Sequence, residues 1–71
     1  MMELTDVKII QMKSMCEDGM WHTLDRYSFD EKWNYLKSKG LTKGMPSKHL
    51  MRTSRPGVID MMIADLITQK I

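Results

Sequence analysis

The sequence predicts a small α+β domain of three helices, a two-stranded hairpin and a short third strand. Three observations predict it. Apolar residues recur at helical spacing near both ends of the chain; Ser28-Phe29-Asp30-Glu31 has the form of a helix-capping box; and a Gly- and Pro-bearing interval from Lys43 to Lys48 separates two short segments, as in a hairpin. The 71 residues make one domain, 1–71, near the lower size at which a chain folds on its own core without disulfides or metal.

The elements follow in order. Leu4, Val7, Ile9, Ile10, Met12, Met15 and Cys16 form a broad stripe at helical spacing, with Thr5 as N-cap, Asp6 at the positive end and Glu17-Asp18-Gly19 as the stop. This gives a helix from about Asp6 to Cys16. Met20-Trp21-His22-Thr23 is too short for a helix after that glycine and reads as a brief extended segment with Trp21 buried. The capping box then starts a helix at Phe29. Phe29, Trp33 and Leu36 form its buried face, Lys32 and Tyr35 its flank, and Asp30, Asn34 and Lys37 its outer side; Gly40 ends it behind Lys37 and Lys39. Leu41-Thr42 and His49 to Thr53 are expected to pair as strands around the turn-rich interval. Pro56-Gly57 closes that unit. Val58 to Ile71 returns to helical spacing, with Ile59, Met62, Ile63, Leu66, Ile67 and Ile71 as the expected buried set.

The composition, 42% hydrophobic and 28% charged, is that of a globular chain and not a disordered one. Nine Met residues point to an adaptable core, with a Met-rich binding groove as the alternative. The single cysteine, Cys16, permits no intramolecular disulfide, and it sits on the apolar side of the first helix as a buried structural thiol. A reducing compartment, and by default the cytoplasm, is the expected location. There is no signal-peptide pattern, and VIDMMIADLI is broken by Asp60 and Asp65, so no membrane partner is expected.

Charge is divided sharply along the chain. Residues 1–31 have three basic and seven acidic groups, residues 32–57 have seven basic and none acidic, and residues 58–71 have one basic and two acidic. Ordinary surfaces mix signs, so 26 consecutive residues without a carboxylate suggest a phosphate-bearing partner. Enzymatic chemistry finds little support. Cys16 and His22 have no third group to orient them, Cys16, His22 and His49 lack the paired spacing of a structural zinc site, and Gly40 and Gly44 are outside any phosphate-loop pattern. No cofactor is expected.

The order of elements, with Tyr35-Leu36-Lys37-Ser38-Lys39-Gly40-Leu41-Thr42, resembles the winged helix-turn-helix superfamily and, more loosely, its MarR and PadR types. Leu36, Lys39, Gly40 and Leu41 match the Leu-x-x-Lys-Gly-Leu-like phrase in which a recognition helix ends. Leu50, Thr53 and Gly57 approximate the close of the second wing strand, with one residue more between Thr and Gly than is usual. The resemblance implies a winged-helix domain that binds double-stranded DNA as a transcriptional regulator. Where the family places a complete helix before the recognition helix, this sequence leaves Thr23 to Tyr27, which is either a helix shrunk to a turn or the sign of another α+β arrangement.

On that reading Lys43, Lys48, His49 and Arg52 occupy the wing and contact phosphates; Lys39 and Arg55 flank it; Asn34 and Lys37 face base edges; and Lys32 adds charge to the helix. Asp30 and Glu31 at the start of that helix oppose DNA unless they read cytosine amino groups, which shifts the expected contact towards the wing. The second reading is a protein-interaction module, dimeric through Val58 to Ile71 or bound to a host protein, with phage or mobile-element origin as a variant of it.

Overall fold

The computed structural model describes residues 3–69 and is built of helices: α1 (Asp6–Lys13), α2 (Glu17–Leu24), α3 (Phe29–Ser38), α4 (Lys48–Ser54) and α5 (Pro56–Thr68). Among the described residues there is no strand, so the expected α+β class, its wing hairpin and its third strand are all replaced by helix and turn.

Each departure has a local cause. Glu17-Asp18-Gly19 does not stop a helix but starts one: the Sγ of Cys16 accepts from the Gly19 N–H, and both acids lie in the first turn of α2, where the helix dipole favours them. α1 therefore ends earlier, at Lys13, and Cys16 is an exposed capping residue and not a buried thiol. Trp21 and His22, expected in an extended segment, lie on α2, Trp21 half-buried and His22 exposed. Thr23 to Tyr27, expected as a helix shrunk to a turn or as part of another α+β arrangement, is instead the end of α2, which stops at Leu24, and the start of the connection Asp25 to Ser28.

Gly19 sits in the first turn of α2 with no positive φ, and a Cβ added there would meet Met15 and Cys16 at ordinary contact distances of 3.5 and 3.6 Å. Gly19→Ala should therefore stabilise the domain by about 0.5–1 kcal/mol, read as a rise in the urea midpoint at unchanged slope. A fall in the midpoint would show that the backbone there is not free to take a side chain.

The serine half of the capping box forms, while among the described residues no bond runs from the Ser28 N–H to the Glu31 side chain. Ser28 Oγ accepts from the Glu31 N–H, and α3 runs from Phe29 as expected. Its end is a Schellman motif: the Leu41 N–H donates to Leu36 O at 3.0 Å, the Gly40 N–H to Lys37 O at 3.0 Å, and Gly40 takes φ +73, which suits a residue without a Cβ. The chain then turns through Thr42 to Met45 instead of entering a strand. Pro46-Ser47 opens α4, with Ser47 Oγ accepting from the Leu50 N–H at 3.3 Å; His49 to Thr53, expected as a strand, are helical. Their sequence does not alternate as a half-buried strand would, since Leu50 and Met51 are adjacent. Pro56-Gly57 stands at the start of α5 and supplies the N-terminal proline that a helix tolerates.

α5 is the central element. Ile59, Ile63, Ala64 and Ile67 are buried along it, Met62 and Leu66 are half-buried, and α1, α3 and α4 pack against it. The expected buried set is met at Ile59, Ile63 and Ile67 and partly at Met62 and Leu66, while Ile71 lies outside the described residues. Leu4, Ile9, Met12, Met20, Leu24, Tyr27, Tyr35, Leu36 and Met51 complete the core. Met12, Met20 and Met51 thus serve as core filling, and Met12, Met15 and Met20 also line an open groove with Trp21, Ala64 and Ile67.

Candidate nucleic-acid interface

The nine nominated residues lie on α3, on the loop that follows it, and on α4. Their environments separate them into three groups. Lys32 belongs to the interior: it is 8% exposed, and its ammonium donates to the carboxylate of Asp60 on α5. Both apolar stem and charged head are withdrawn, so Lys32 does not meet a partner.

Lys39 and Lys48 are exposed but paired. Lys39 Nζ lies 2.7 Å and 2.9 Å from the two carboxylate oxygens of Asp6 and 5.6 Å from the centroid of the Tyr35 ring. Tyr35 Oη donates to the same Asp6 carboxylate at 2.9 Å. This triad fastens the start of α1 to the end of α3. Hydrogen bonds from Lys39 and then from Tyr35 hold the Asp6 carboxyl below its ordinary value, and burial, followed by the bond to Asp6, pushes the Tyr35 phenol up to about 12. The signs are opposite. A depressed carboxyl stabilises the fold above the ordinary carboxylate range and loses that contribution as pH falls through it; a raised phenol loses its contribution as pH rises from its ordinary 10.0 towards 12. Tyr35→Phe should therefore flatten the alkaline fall in stability between about pH 10 and 12, as followed by chemical denaturation at each pH. An unchanged alkaline limb would remove Tyr35 as its source.

Lys48 Nζ is 3.5 Å from Asp30 Oδ1, with both side chains about half exposed. This contact links the start of α4 to the start of α3.

The other nominated side chains, Asn34, Lys37, Lys43, His49, Arg52 and Arg55, are exposed. Among the described residues, no carboxylate lies within 4 Å of Lys37, Lys43, Arg52 or Arg55. Lys48, Arg52 and Arg55 fall at i, i+4 and i+7, on one side of α4 and its C-cap, and Met51, at i+3, borders that side as the one buried residue of the helix. On α3 the outward positions are Asp30, Asn34, Lys37 and Ser38, a mixed set in charge. The basic character is thus concentrated on α4 and the preceding loop, helical where a wing was expected.

The three carboxylates that face lysines of the basic run all come from outside it. Asp6 and Asp60 stand 33 and 28 residues from their partners, and counting charge by segment gives no sign of such pairings. A homodimer through Val58 to Ile71 was expected to use the Ile and Met of the last helix; on α5 the isoleucines are buried by α1, α3 and α4, which leaves Val58 and Met61 as its exposed large apolar residues. Among the described residues no three His, Cys, Asp or Glu side chains come together as a metal site, and no helix is long and apolar enough to cross a membrane. No protein-family model, curated protein or solved structure matches this chain.

Proposed function

We propose that the chain binds the phosphate backbone of double-stranded DNA through α4 and the loop between α3 and α4. The observation that carries this reading is the exposed set Lys37, Lys43, Arg52 and Arg55, without a carboxylate partner among the described residues, in a run of 26 residues that has no acid. Lysine and arginine heads in this arrangement release condensed counter-ions from DNA when they meet phosphates, which gives affinity without base sequence. The helical form of α4 favours the reading in one respect: the i, i+4, i+7 spacing holds Lys48, Arg52 and Arg55 on one side, whereas on a strand Arg55, an odd number of residues from the other two, would have faced away from them. Asn34, beside Lys37 on the outer side of α3, is the candidate for a base edge.

The test is a salt titration of binding to a generic duplex. Four phosphate contacts predict a slope of about −3.6 in log K against log salt, or roughly a hundredfold loss between about 50 and 200 mM. Arg52→Glu with Arg55→Glu should weaken binding at all sequences by tenfold or more, since each exchange replaces an attraction by a repulsion (about 1 kcal/mol or more per site at low salt). No binding at tens of micromolar protein in low salt, or binding insensitive to salt, would overturn this function.

A further inference from the structure

We propose that Asp30 is an intramolecular counter-ion of this surface, which holds Lys48 in the free protein and is displaced by a nucleic-acid phosphate; this rests on the function proposed above. The three ion pairs differ in what it takes to open them. Lys32 and Asp60 are withdrawn into the packing between α3 and α5, so opening them breaks the core contact. Lys39 is held by both oxygens of Asp6, which Tyr35 also engages, and it lies over the Tyr35 ring, so its release would undo three contacts at once. Lys48 and Asp30 share a single contact at 3.5 Å between side chains 45% and 54% exposed, and among the described residues neither side chain makes a hydrogen bond.

A pair of that kind is weak and rapidly remade, because water competes for both partners and two mobile side chains must be held in register. A DNA phosphate competes in the same way. It has the advantage that the ammonium then also releases a condensed counter-ion from the duplex, which the Asp30 carboxylate cannot offer. Lys48 is also the one of the two exposed, paired lysines that shares a helix side with Arg52 and Arg55, so a phosphate reaching those arginines is already beside it. Asp30 therefore lowers the affinity of the surface without altering its shape. Lys39, in contrast, stays with Asp6 and contributes little to binding.

The experiment compares the full chain with Asp30→Asn, Lys48→Gln and the double variant on one generic duplex at about 100 mM salt, with thermal unfolding as the control that all four are folded. Asp30→Asn should tighten binding roughly twofold to fivefold, the span of an exposed ion pair converted to affinity. Lys48→Gln should weaken it, and in the Lys48→Gln background the gain from Asp30→Asn should disappear, because the carboxylate then has no lysine to withhold. Lys39→Gln, measured beside them, should change affinity less than Lys48→Gln.

An equal gain in the Lys48→Gln background would mean that Asp30 acts through overall charge alone and would overturn the inference. So would the absence of a gain in Asp30→Asn while the unaltered chain binds with the expected salt slope, and in that case the proposed function stands. If neither the unaltered chain nor Asp30→Asn binds duplex at low salt, both fall. If Asp30→Asn binds where the unaltered chain does not, the proposed function falls for the unaltered chain, and the counter-ion role stands only if adding Lys48→Gln abolishes that binding and falls if it does not.

Discussion

Replacing Asp60 with alanine will destabilise the domain by about 2–3 kcal/mol, and Asp60→Ala combined with Lys32→Met will recover most of that loss. The asymmetry follows from where the two charges lie. Lys32 is buried on the face of α3 that packs against α5, while the Asp60 side chain is 29% exposed, so water can reach the carboxylate but scarcely the ammonium. Removing the carboxylate leaves a buried cation with no partner; removing both charges and keeping the apolar stem leaves packing alone. For a 71-residue domain, whose total stability is on the order of 4–10 kcal/mol, the single change should lower the thermal midpoint by roughly 10–20 °C. Matched denaturant melts of the single and double variants decide the matter. If Asp60→Ala falls by less than about 1 kcal/mol, Lys32 reaches water without help and the pair has no structural role.

Met51→Ala will cost about 2–4 kcal/mol in the docking of α4, the usual range for truncating a buried methionine. α4 is seven residues long, too short to be stable alone in water, and Met51 is its only buried side chain. The expected result is local: the backbone amides of Met51 and Arg55, which donate to Ser47 O and Met51 O, should exchange rapidly, while those within α1, α3 and α5 keep their protection. Far-UV ellipticity should fall by the share of one seven-residue helix. On the proposed function, duplex binding should weaken with it, because Lys48, Arg52 and Arg55 would no longer be held on one side. Uniform loss of protection across the chain would show instead that α4 belongs to the global folding unit.

The two variants also indicate which parts of the fold could be read from the residues. The bounds of α3 were legible because their signals are local and redundant, a capping serine and a C-terminal glycine whose left-handed conformation was foreseeable; its face was not, since Lys32 and Tyr35, expected on the flank, are buried with Leu36, while Phe29 and Trp33 are half-buried. α5 was legible from its length and its isoleucines. α2 and α4 were not, since seven or eight residues hold only two turns, too few for an apolar period to stand out. In α2 a glycine within the helix had the look of a terminator. In α4 a Pro-Ser pair, which opens the helix, had the look of a hairpin turn, although Ser47 is an ordinary N-cap.

The candidate surface was legible in composition and not in geometry. The acid-free run marked the surface, but nothing near Lys32 in sequence announces that Asp60 will draw it inside, and nothing near Lys39 announces Asp6. Of the nine candidate residues all but Lys32 are exposed, and Lys32, Lys39 and Lys48 are set apart only by tertiary contacts with carboxylates.

The helix on which α1, α3 and α4 all pack is the last of the five. α1 and α2 also contact each other, but α3 and α4 pack chiefly on α5, so the burial of Leu36 and Met51 depends on residues 56–68. Docking of α3 and α4 is therefore completed only with the last helix. The interval before that step, when a Met-rich apolar surface and an acid-free basic segment are both uncovered, is when the chain is most open to capture by chaperones, proteases or other unfinished chains.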